Sequence, residues 1–299
     1  HILSGRASSP GPDGYVYEVF HYGVNVITHL IGNALIAACV SPEAATAIIG
    51  PNHDTLAWIP KEGGDKVVCG ARPLGLPCCL RRLYGATIAG TIGPLIEPHL
   101  CKLQAGVRGG DMGANIGATF AHLSPDPRIS FPSPPPPPSS PDLWGQVLGG
   151  ALHGIEAEIA RIPPGADDQL GNAAFFADQD KAFERVSFCW LEAVLRRWAL
   201  PVWLHNAAMS LVLRRATKAA ASGPDSPWLE VLCGLGMGSP AAPLFWAIAY
   251  DPVPAGMLSA LGIPAPTYVD DLAALVKGAE MATRAAWFLL CASKAIGLK

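Results

Sequence analysis

Residues 266–271 read PTYVDD, and the chain runs on as LAALV. Two adjacent carboxylates, Asp270 and Asp271, therefore sit between apolar stretches, where they cost desolvation and repel each other. A third, Asp178, follows the apolar run AAFFA at 173–177. Both apolar runs have the length and composition of short strands. If the two strands pair side by side, Asp178 and Asp270 meet at one end, and like charges that close resist joint ionisation. A divalent cation removes that difficulty. Mg²⁺ takes oxygen ligands, keeps several waters, and is held by one or two carboxylates together with substrate phosphates. Two such ions can activate an attacking oxygen and stabilise a leaving one. The chemistry suggested is phosphoryl or nucleotidyl transfer. An Asp pair in a turn can also do nothing more than hydrogen-bond its own backbone, and the apolar flanks weigh against that plainer reading.

The elements that must position these residues follow from pattern. Residues 15–39 read as helical, with VNVITHLIGNALIAACV as a buried helix interrupted by His29 and Asn33 and too short for a membrane span. TLAWIPKEGGDKVVCGARPLGL (55–76) reads as two strands around the turn KEGGD, and 79–103 as largely helical. The glycine-rich 103–117 reads as a loop. SPDPRISFPSPPPPPSSPD (124–142) is a low-complexity insertion whose five consecutive prolines favour a polyproline II spacer. A helix is expected in LWGQVLGGALHGIEAEIARI after it, and helix over 187–220 with a break at Pro201. A glycine-rich loop, VLCGLGMGSP, leads into an apolar helix, PTYVDDLAALV folds as a tight hairpin with the aspartates at its turn, and a final amphipathic helix follows. The order implies an α+β fold with an antiparallel sheet covered by helices.

Composition bounds the rest. Half of the 299 residues are apolar and 15% are charged, which suits a packed globular chain. A net charge of −3 offers no electrostatic case for nucleic acid. The eight cysteines form no CxxC pair and no zinc-like cluster, so they read as buried, reduced thiols of a nuclear or cytoplasmic protein, with no membrane partner. The chain opens without Met and stops in the middle of a pattern, as an excerpt of a longer protein would.

Several motifs occur in one order. ADQDKAFERV (177–186), GLGMGSPAAPLF (234–245) and YVDD (268–271) are preceded by SPGPDG (9–14), WIPK (58–61), RPL (72–74) and QAGVRGG with NI at 115–116, and followed by KAIGLK (294–299). Together they resemble the reverse transcriptase domain of the non-LTR retrotransposon (LINE-like) and group II intron type. The chain departs from the family pattern at Met237, where the family has Gln, at Ala242 for Ser, at Glu184 for Asp, and at Val107 for Phe.

The resemblance implies a right-hand polymerase core: fingers in 1–123, the proline-rich insertion at 124–142, and a palm with an antiparallel sheet in 143–299, the thumb being absent. It implies that Asp178, Asp270 and Asp271 hold two Mg²⁺ ions, which Mn²⁺ can replace, with Asp270 the closer ligand and Asp271 the secondary one. Lys61 and Arg72 would grip the triphosphate, Phe183 would exclude a 2′-hydroxyl, and Met237 and Gly238 would lie beside the nucleotide. The implied partners are an RNA template, a DNA primer and dNTPs, together with the missing thumb and other domains. The implied reaction is RNA-templated DNA synthesis. Two alternatives stand beside it: a catalytically degenerate domain that only binds nucleic acid or protein, and a template-independent nucleotidyltransferase.

Overall fold

The computed structural model describes residues 10–60, 71–106, 116, 172–179, 181–220 and 226–298. The KEGGD turn with Lys61, Cys69, the glycine-rich residues 107–115, the proline-rich stretch and the helix expected after it lie outside the described residues. In chain order the elements are α1 (Tyr17–Tyr22), α2 (Val24–Ala37), α3 (Pro42–Ile49), β1 (His53–Pro60), β2 (Ala71–Pro77), α4 (Cys79–Ile96) and a short 3₁₀ turn (Glu97–His99). Then come β3 (Asn172–Ala177), α5 (Ala182–Arg185), α6 (Phe188–Arg197), α7 (Val202–Ser210), β4 (Ala216–Ala219) and β5 (Leu229–Glu230). The last are α8 (Ala242–Tyr250), α9 (Pro252–Leu261), β6 (Thr267–Tyr268), β7 (Asp271–Lys277) and α10 (Gly278–Ile296). The fold is mixed α+β, and the chain divides into two compact units: His1–Pro98 with Phe183–Trp246, and His99–Ala182 with Ala247–Lys299.

In the first unit a four-stranded sheet has the order β2-β1-β4-β5. β1 and β2 are antiparallel, as the hairpin pattern predicts, but β4 runs parallel to β1, which an all-antiparallel expectation misses. The helix expected to reach residue 220 also ends early. After α7 the Asn52 amide donates to the carbonyls of Leu211 (2.9 Å) and Leu213 (3.2 Å), Arg214 takes φ 51°, and Ala216 N–H bonds to Asn52 O. These distant bonds outweigh the helix propensity of the alanines in RRATKAA. Two of the helices start on serine caps: Ser41 accepts from Ala44 N–H at 3.1 Å and Ser187 from Trp190 N–H at 3.4 Å.

The core of this unit is built from Leu83, Ile88 and Ile92 of α4, Leu191 and Leu195 of α6, and Leu204 of α7. Each such burial is worth about 1.5–3 kcal/mol. Arg81, itself buried, donates to three carbonyls, those of Pro51 (2.9 Å), Ser210 (3.2 Å) and Gly50 (2.5 Å), so that α4, α7 and the approach to β1 share one guanidinium. Helix α2, expected to be buried, is not. Only Ile31 and Ala34 are fully buried along it, while Val26 and Ile36 are each 69% exposed, because its apolar residues surround the whole helix and only one stripe packs inward.

The second unit holds a three-stranded antiparallel sheet in the order β3-β7-β6. β7 is buried along its five middle residues, and α10 packs behind it with Phe288, Leu289, Ala292 and Ile296 in the core. The run Ala242–Leu261 is long and apolar enough to cross a membrane by length and composition, yet 67% of it is buried inside the protein, the setting of core helices. The thiols correct another expectation: of the seven described, none in a disulfide, only Cys79 is buried, and Cys39, Cys189 and Cys233 are exposed.

Candidate functional site

The carboxylates belong to the second unit, and strand register places them. The last rung between β3 and β7 is Ala177↔Leu272, so Asp178 comes one step beyond it, in line with Asp271. On its other side Asp271 pairs with Tyr268, and Val269 and Asp270 form the two-residue turn between them. Paired residues share a face of a sheet. Phe176 and Tyr268 are 68% and 46% exposed, and Asp178 and Asp271 are exposed with them, so this row lies on the open face at the turn end. Thr267 and Leu272, one rung back, are buried on the opposite face. The sequence places the aspartates correctly at a hairpin end; the register aligns Asp271 with Asp178 and leaves Asp270, half-buried, in the turn.

The turn is held in an unusual conformation. Val269 has φ 56°, a region that a β-branched residue rarely adopts and that the first central residue of a two-residue hairpin turn usually gives to glycine. Such a residue costs of order 1–3 kcal/mol and persists only where its surroundings hold it. Here the support is the segment Leu103–Gly106. Thr267 N–H bonds to Leu103 O (2.9 Å) and Ala105 N–H to Thr267 O (2.8 Å), so the segment covers the edge of β6. Gly106 lies directly against the turn: a Cβ there would meet Val269 N at 2.7 Å and its Cγ2 at 3.0 Å.

Beside the carboxylates is a buried polar network that sequence reading overlooks. Gln179, next to Asp178, is 6% exposed, and its Oε1 accepts from Ser293 Oγ of α10 at 3.4 Å. Near it lies the phenol of Tyr250, which is 1% exposed at the end of α8. Burial pushes the Tyr250 phenol well above its ordinary range; Gln179 beside it opposes this, and the negative charges of Asp270 and Asp271 add to the rise. Nothing in the local pattern marks Gln179, Tyr250 or Ser293 as partners, since they are far apart in the chain.

The remaining candidates belong to the first unit. Arg72 is exposed on β2, where it pairs with Ile59 of β1. Phe183, half-buried, stacks on Trp246 with ring centres 5.4 Å apart and planes 26° apart, and its carbonyl accepts from Leu235 N–H at 2.5 Å. Met237 O accepts from Gly75 N–H of β2 at 2.6 Å. Gly238 has φ 111° and lies so close to Gly75 O that no side chain fits there. The structure thus gathers Phe183, Met237 and Gly238 with the strand that carries Arg72 in one unit, and Asp178, Asp270 and Asp271 in the other.

Among the described residues, no group of three or more His, Cys, Asp or Glu side chains converges on one point. Mg²⁺ does not require one, because one or two carboxylates with water and phosphate oxygens complete its shell. Asp178 and Asp271, in line at one end of the sheet, supply carboxylate oxygens of the kind this ion takes.

No protein-family model matches the chain, and no curated protein matches it. Among solved structures it is similar to apo telomerase from Candida tropicalis, truncated from the C-terminal domain, at 11% identity and a TM-score of 0.41. The likeness covers 81% of this chain and 47% of that one, so the chain spans less than half the length of that structure.

Proposed function

We propose that the protein is an RNA-directed DNA polymerase of the reverse transcriptase type, extending a DNA primer on an RNA template from dNTPs. The observation that carries this reading is the register. Asp178 and Asp271 fall in line on the open face of the sheet, at the turn that holds Asp270. The ordered motifs quoted above supply the reaction class.

In this reading Asp178, Asp270 and Asp271 hold Mg²⁺, or Mn²⁺ in its place. When bound, the metal supplies activation of the primer 3′-hydroxyl and stabilisation of the departing pyrophosphate. The carboxylates make that end of the sheet rich in oxygen ligands. Arg72, with Lys61, binds the triphosphate, the guanidinium by paired hydrogen bonds and the ammonium as a compact charge. Phe183, braced by Trp246, presents a rigid ring edge under the sugar, where a 2′-hydroxyl would collide. Gly238, lacking a side chain, lets backbone and nucleotide approach closely.

The test is Mg²⁺-dependent dNTP incorporation by the full-length protein on an RNA template with a DNA primer, beside Asp270→Ala and Asp178→Asn. Each variant is expected to lose about 10²–10³-fold in kcat, the scale of losing transition-state charge stabilisation. Equal incorporation by wild type and Asp270→Ala would refute the assignment. Primer extension without any template would favour a template-independent nucleotidyltransferase instead.

A further inference from the structure

Asp54 of β1 and Arg215, just before β4, form an ion pair inside the first unit, with Nε and Oδ2 3.6 Å apart and side chains only 10% and 6% exposed for Arg215 and Asp54. Burial works against both charges, raising the Asp54 carboxyl and lowering the Arg215 guanidinium from their ordinary values. A buried pair of this kind is weak support for stability, and one attested return is conformational specificity. Its neighbours show what is being specified. The Asp54 carboxylate lies between two glycines: a Cβ on Gly75 would meet Oδ2 at 3.3 Å, and one on Gly236 would meet Oδ2 at 3.4 Å and Arg215 Nη1 at 3.2 Å. Gly75 in turn holds the Met237 carbonyl and abuts Gly238. Arg215 Nη1 has no acceptor among the described residues, and the guanidinium borders a small pocket with Asn52, Gly236 and Ser239.

We propose that the Asp54–Arg215 pair is a clamp that fixes the backbone of loop 235–239 against β2 and so sets where Met237 and Gly238 stand. Asp54 and Arg215 are positioning residues: they act through the loop and touch no substrate. That the clamp governs nucleotide selection rests on the polymerase reading; that it orders the loop does not.

Three variants test it: Arg215→Met, Arg215→Lys and the apolar pair Asp54→Leu/Arg215→Met. The readouts are Met237 oxidation by dilute hydrogen peroxide and amide exchange over 235–239, both by peptide mass spectrometry. Met209, 1% exposed in the same unit, reports on the fold. Arg215→Met is expected to speed both readouts about tenfold or more while Met209 stays protected. Arg215→Lys keeps the charge and loses the nitrogen against Gly236, so it should fall between. The apolar pair should recover the stability lost in Arg215→Met, as removal of both charges often does, yet leave the loop unprotected.

If Arg215→Met leaves Met237 as protected as in wild type, the clamp is refuted. If it exposes Met209 as well, the apolar pair decides: recovery of stability together with loop protection refutes the clamp, and recovery of stability alone supports it. In polymerase assays the apolar pair should raise the dNTP KM about tenfold with kcat nearly unchanged, a uniform-binding loss; a kcat loss at constant KM would refute the link to nucleotide selection. Should wild type incorporate no dNTP, the polymerase reading falls, and the oxidation and exchange results still decide the clamp.

Discussion

Gly106→Ala puts the support of the carboxylate turn to its most direct test. The new Cβ would stand 2.7 Å from Val269 N and 3.0 Å from Val269 Cγ2. The backbone nitrogen must retreat by about 0.7 Å to reach the separation at which ordinary contact begins. Overpacking of this kind costs about 1–3 kcal/mol. Because the nitrogen belongs to the turn that carries Asp270, the displacement passes to the carboxylate, and misplacement near 1 Å can cost about 10²-fold in rate. Urea denaturation reads the first quantity and kcat for dNTP incorporation the second. Val269→Gly in the same background removes the Cγ2 clash and the positive-φ strain but leaves the 2.7 Å contact, so it should restore part of the stability and little of the rate. If Gly106→Ala matches wild type in both measurements, the claim that Leu103–Gly106 supports the turn is wrong.

Other expectations follow from the network beside the carboxylates and from the bulk of Phe183. Gln179→Leu strands the Ser293 hydroxyl and removes the polar group beside Tyr250, and should cost about 1–3 kcal/mol in urea denaturation. Adding Tyr250→Phe to it should cost less than the two changes made separately, as partners in one network do. The Tyr250 phenol is raised in the folded state, so folded protein keeps its proton above pH 10.0 while unfolded chain releases it. Stability from this group is therefore complete below that pH and falls as pH rises, by about 1.4 kcal/mol per pH unit. Tyr250→Phe should lose less stability than wild type between neutral pH and pH 11, and parallel profiles would contradict the burial argument. Phe183→Ala should narrow the preference for dNTP over rNTP through a fall in the rNTP KM; an unchanged ratio would make Phe183 a core residue and nothing more.

The carboxylate hairpin was legible because two local signals agree there: a short apolar run of strand length and Asp at a turn. The partner strand was legible for the same reason, since AAFFA ends in Asp178. What stayed hidden is non-local. Ala216–Ala219 becomes a strand because Asn52, more than 150 residues earlier, takes the carbonyls that would have continued the helix. Gly106 is one glycine in a glycine-rich stretch, and composition does not say which backbone it will touch. Gln179 is flanked by acids and reads as a solvent-facing residue, yet Tyr250 and Ser293 draw it inward. Asp54 resembles any acid on a half-exposed strand until Arg215 and two glycines enclose it. Local chemistry announces where charge gathers, and only tertiary contact determines what holds it.

The antiparallel rung Ala177↔Leu272 joins residues about ninety-five apart in the chain. During synthesis, the segment ending at Asp178 leaves the ribosome long before β7 exists to cover it. For that interval Phe175 and Phe176 sit on a strand with both edges open, the kind of segment that recruits other chains. Yield of soluble protein should therefore depend on translation speed and chaperone supply through this interval, and slowing synthesis between residues 178 and 272 should lower it even when the finished fold is unchanged.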